Sequence, residues 1–78
     1  MNTQKTKRYL ALEAIYEKSK ETMATSALLV IEIDNLIGYG KTDARVLQAS
    51  RNCYVRKAEQ LTEMLVQFEK SDRDGWSE

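Results

Sequence analysis

Ala27-Leu28-Leu29-Val30-Ile31-Glu32-Ile33-Asp34-Asn35-Leu36-Ile37 is the stretch on which the fold turns, because it reads either as a β-strand or as three turns of helix. Its apolar residues are partly β-branched, as a strand would have them, but a strand needs a partner. No second run of this kind occurs in the 78 residues, so a strand would have to pair with its own copy across a dimer. The helical reading needs nothing added, since the same three- and four-residue steps continue toward the N-terminus. At 100° per residue, Leu29, Val30, Ile33, Leu36 and Ile37 fall on one arc, and Ala27, Leu28 and Ile31 fall on another across the helix. A single partner helix cannot cover both arcs.

Outward from this stretch, Tyr9, Leu12, Tyr16, Met23, Val30, Ile33 and Ile37 form a helical stripe, with Ser19 and Ser26 filling the skipped places. The spacing predicts a helix over about 3–37, closed by Gly38 or Gly40 in the left-handed conformation. A second stripe, Leu47, Ser50, Tyr54, Ala58, Leu61, Leu65 and Phe68, predicts an amphipathic helix over about 43–70, with Arg45, Gln48, Asn52, Arg56, Glu59 and Glu63 opposite. Thr42 is placed to cap it and Asp43 to meet the positive end of its dipole. Residues 71–78 read as a polar tail on a single domain spanning 1–78. The expected architecture is an all-α antiparallel helical hairpin. The serines and threonines of 19–26 lower helix propensity, and a break there gives the alternative, a three-helix bundle.

The charge layout supports the hairpin. The first helix begins with Lys5, Lys7 and Arg8 and ends with Glu32 and Asp34; the second begins with Lys41, Arg45, Arg51, Arg56 and Lys57 and ends mainly acidic. Folded antiparallel, each basic end lies beside an acidic one, which selects orientation more than it adds stability. Two helices alone leave much of each stripe wet, whereas two hairpins together close a four-helix bundle. A homodimer is therefore expected, with Leu28, Val30, Ile31, Ile33 and Ile37 as self-association residues.

Composition narrows the function. Twelve basic and twelve acidic residues balance, and the chain contains no His, one Cys and no Pro. This removes the commonest general base, most zinc sites and any disulfide framework, so no catalytic residue, metal or cofactor is expected. The apolar run 27–31 is far short of a membrane span, and acids soon interrupt the apolar residues after Arg8, as no secretory signal would allow. A soluble protein with an unpaired Cys53 points to a reducing, cytoplasmic compartment. With no base or resolving thiol nearby in sequence, Cys53 reads as a partly buried structural residue.

Gly38-Tyr39-Gly40-Lys41-Thr42 matches the end of a phosphate-binding P-loop, but the motif's first glycine would fall at Asn35. A glycine turn followed by a helix cap explains the same residues. Residues 28–35, Leu-Leu-Val-Ile-Glu-Ile-Asp-Asn, resemble the first strand of diguanylate cyclase domains. That resemblance implies a strand there. The family's glycine-acid turn is absent, so no catalytic residue is carried over.

Contact is the expected mode of action: a small non-enzymatic module that regulates, inhibits or escorts a larger protein partner. Tyr39, Lys41, Arg45 and Trp76 are the candidate partner-binding residues, aromatic and arginine side chains being the usual anchors of interfaces. The alternative for Trp76 is to fold back onto Phe68 or Tyr9 at the open end, and for Tyr39 to cover the end of the bundle. The alternative is a weak nucleic-acid-binding regulator using Arg45, Gln48, Asn52 and Arg56, which share one face of the second helix.

Overall fold

A computed structural model of the chain describes residues 6–39 and 44–76. Two α-helices, α1 (Lys7–Tyr39) and α2 (Ala44–Asp74), pack side by side as a hairpin. At 1.5 Å per residue they run for roughly 50 and 46 Å. The molecule is accordingly a slab of 57 × 28 × 14 Å with a radius of gyration of 17.7 Å. A compact chain of this length would have a radius of gyration near 11.5 Å.

The strand implied by the diguanylate cyclase resemblance is absent, because residues 28–35 lie within α1. The three-helix alternative fails as well: α1 is continuous through 19–26. The hydroxyls that lower propensity there are bonded to the helix's own carbonyls. Ser19 donates to Ile15 O at 2.8 Å, Thr22 to Lys18 O at 2.8 Å and Thr25 to Thr22 O at 2.8 Å. Such back-bonding satisfies the hydroxyl without opening the backbone ladder.

The helix ends differ from the expected 3–37 and 43–70. Thr6 caps α1, its Oγ1 accepting from the Tyr9 amide at 3.1 Å. Gly38 does not close this helix, which continues to Tyr39; Gly40, Lys41, Thr42 and Asp43 lie outside the described residues. At the other end α2 takes in 71–74, four residues of the expected tail, and Gly75 (φ +83°) supplies the left-handed residue that ends it.

The seam between the helices corrects the stripe read for α1. On α1 the residues turned toward α2 are Ala11, Ile15, Lys18, Thr22, Thr25, Leu29 and Glu32, spaced alternately four and three. On α2 they are Leu47, Ser50, Tyr54, Lys57, Leu61, Met64, Phe68 and Ser71, with Ala58 beside them. Both rows follow the 3.5-residue repeat of a left-handed coiled coil. The α2 stripe is therefore close to the expected one, except that Met64 takes the place of Leu65, which is exposed. In α1 the helix packs through a mainly small and polar row in which Ile15 and Leu29 are the large apolar members. The apolar stripe Tyr9, Leu12, Tyr16, Met23, Val30, Ile33 and Ile37 is exposed along its whole length. Thr25, at 8% exposure, is the one buried residue among those described, and no described apolar residue is buried.

Candidate functional site

Cross-helix pairs set the register and give the slab two distinguishable broad faces. At the open end Arg8 Nε lies 3.0 Å from Asp72 Oδ1, joining a basic helix start to an acidic helix end as the charge layout required. At mid-height Lys18 Nζ donates to Gln60 Oε1 at 3.1 Å and lies 3.0 Å from Glu21 Oε2, while Lys57 Nζ donates to the same Glu21 oxygen at 3.3 Å. Both lysines rise from the seam and run their methylene stems out to one face, where Glu21 collects the two charges. These hydrogen bonds, that from Lys18 first and that from Lys57 second, hold the Glu21 carboxyl below its ordinary pKa.

On the face that carries Glu21, the open end forms an apolar groove of about 470 Å³. Ala11, Ala14 and Ile15 line it from α1, Met64 and Phe68 from α2, and Trp76 closes one end. The groove exists because α1 offers alanines where α2 offers large side chains. Trp76 folds back from Gly75 so that its ring stands 5.5 Å from that of Phe68, and its Nε1 donates to Asp72 Oδ1 at 2.6 Å. The Arg8 guanidinium lies over the same Phe68 ring at 5.2 Å. Asp72 thus accepts from both Arg8 and Trp76, and these bonds, that from Arg8 with the larger effect, lower its pKa. Further along this face, toward the turn, α1 exposes Ala24, Leu28 and Ile31.

The opposite broad face carries the α1 row Tyr9, Leu12, Tyr16, Ser19, Met23, Ser26, Val30, Ile33 and Ile37, which again steps by three and four. Its exposed members include Met23 at 68%, Val30 at 64% and Ile37 at 78%. From α2 the same face receives Ala58, Leu65 and Val55, with Arg51 and Gln48 toward the turn and Glu69 and Asp72 toward the open end.

The residues expected to drive self-association are therefore split. Val30, Ile33 and Ile37 lie on one broad face, and Leu28 and Ile31 on the other. Arg45, Gln48, Asn52 and Arg56 do share one exposed side of α2, pointing away from α1; Asn52 Oδ1 there accepts from Arg51. Of the expected partner-binding set, Trp76 and Arg45 stand at opposite ends of α2, while Lys41 and the Tyr39 side chain lie outside the described residues. Cys53 is exposed, contrary to the structural role read for it: one residue before Tyr54, it is turned about 100° away from the seam. Of this end, the sequence reading holds the pairing of a basic helix start with an acidic helix end and, as an alternative, the return of Trp76 onto Phe68, both of which the structure shows; it misses the groove and the Trp76–Asp72 hydrogen bond. Gly75, the expected signature of a helix end, was the available signal that Trp76 turns back. Searches for similar proteins give no match to any family model, curated protein or solved structure.

Proposed function

We propose that this chain is a non-enzymatic contact module, a homodimeric four-helix bundle that binds, and so regulates or escorts, a larger protein. The observation that carries this reading is the absence of any buried apolar side chain among the described residues, beside two apolar surfaces on opposite faces of one thin slab. The chain exposes 6353 Å². A compact monomer of 9.0 kDa exposes about 4,800 Å². The excess of roughly 1,500 Å² exceeds the ~800 Å² per partner that a standard interface buries. The long apolar row of α1 supports self-association. The grooved face, left outward by such a dimer, supports a second contact with another protein.

The sequence has no histidine, the commonest general base. The experiment is thermal melting of the full chain followed by circular dichroism at several protein concentrations. A module whose core forms on association melts at a midpoint that rises with concentration. A midpoint independent of concentration would overturn the reading.

A further inference from the structure

The two broad faces of the hairpin also constrain how two copies can meet, given the dimeric reading above on which this inference rests. Two slabs stacked face to face by a two-fold axis have two arrangements. With the axis parallel to the helices, α1 lies on the partner's α2 and both turns are at one end. With the axis across the helices, α1 lies antiparallel on the partner's α1 and the turns are at opposite ends. The continuous apolar row belongs to α1 alone. On the same face α2 offers Gln48, Arg51, Thr62, Glu69 and Asp72 among its few apolar residues. The first arrangement would cover Tyr9, Tyr16 and Ile37 with much of that polar surface. The second covers them with their own kind.

The row is also its own mirror in size. Read from either end it runs three large residues, a serine, Met23, a serine and three large residues. With Met23 on the axis, Tyr9 meets the partner's Ile37, Leu12 the partner's Ile33, Tyr16 the partner's Val30 and Ser19 the partner's Ser26. Large residues face large ones, and the serines let the backbones approach where Met23 meets its copy. The Ser19 hydroxyl is already bonded to Ile15 O, so covering it strands no donor. We infer that the chain pairs with a second copy through this face, α1 antiparallel on α1, with the two-fold axis at Met23.

Disulfide trapping tests this in full-length chains carrying Cys53→Ser, which removes the exposed native thiol. Tyr9→Cys and Ile37→Cys chains, oxidised as a mixture, are expected to give a cross-linked dimer, and neither is expected to do so alone. A second measurement uses nitroxides on Asp34→Cys, an exposed position off the apolar row. Antiparallel pairing separates the two labels by roughly 33 Å along the helices. Turns at the same end would bring them within about 20 Å. Tyr9→Cys chains that cross-link with themselves, a dimeric mixture that stays uncross-linked, or the shorter label distance would overturn the pairing while leaving the dimer. A chain that is monomeric by mass would overturn both.

Discussion

Met23→Asp is the substitution that bears hardest on the exposed row of α1. Met23 is 68% exposed in the single hairpin, so covering it withdraws most of its side chain from water. Full burial of a methionine contributes about 1.5–3 kcal/mol, and the exposed share corresponds to roughly 1–2 kcal/mol. A two-fold interface counts every side chain twice, which gives about 2–4 kcal/mol per dimer. Two carboxylates brought together at the axis add repulsion to that loss. The dissociation constant should therefore rise by about thirty- to a thousandfold. Helix propensity is a small part of the effect, because aspartate in a helix interior costs only about 0.7 kcal/mol relative to alanine. Ala24→Asp, exposed on the opposite broad face of α1, carries that propensity cost without the interface and serves as the control. Sedimentation velocity across a concentration series reads the constant, and circular dichroism confirms that helix is retained. Undiminished association of Met23→Asp, or equal weakening by Ala24→Asp, would refute the reasoning.

Trp76→Ala should lower the stability of the full chain by roughly 1–2 kcal/mol, the combined contribution of an aromatic pair and a hydrogen bond, read by urea unfolding; an unchanged midpoint would show that the Phe68 contact contributes nothing. Acidification tests the same end of the hairpin. The hydrogen bonds from Arg8 and Trp76 make folded Asp72 harder to protonate than in the unfolded chain, so its contribution is present above the ordinary carboxylate range and is lost as pH falls through and below about 4. Trp76 emission should shift to longer wavelength over that interval, and Asp72→Asn should abolish the dependence. Thr25→Val keeps the shape of the buried residue and removes a hydroxyl bonded only within its own helix, so melting should be unchanged or stabilised by up to about 1 kcal/mol; a large loss would mean that the hydroxyl has a partner across the seam. Labelled mixed-sequence DNA and RNA should show no saturable binding at low salt. Binding that falls steeply with salt and weakens in Arg45→Ala with Arg56→Ala would instead favour the nucleic-acid reading.

How far the sequence disclosed this fold can be judged helix by helix. In α2 the largest apolar residues fall mainly on one side, with Val55 and Val66 outside it, so periodicity alone placed Leu47, Tyr54, Leu61 and Phe68 in the seam, where Met64 and Lys57 join them. In α1 apolar residues occupy two arcs, and periodicity could not say which arc the hairpin partner would take. From the first arc the structure takes Leu29 alone. It packs α2 into the row between them, where Ala11, Thr22 and Thr25 allow close approach and back-bonded hydroxyls need nothing from α2. Residue-type averages read those threonines as a weakness in the helix, because the bonds that satisfy them appear only once the helix exists. The open-end groove was illegible for a related reason. It depends on alanines of one helix lying opposite Met64 and Phe68 of the other, a matter of register fixed by Arg8–Asp72 and Lys18–Gln60 rather than by any local pattern.

Sedimentation equilibrium of the unmodified full chain, run from nanomolar to high micromolar concentration, tests most directly whether the uncovered face of α1 is an interface. Two chains of 9.0 kDa should approach a common mass of about 18 kDa as concentration rises, dissociating reversibly on dilution. A mass of 9.0 kDa at every concentration would contradict the account.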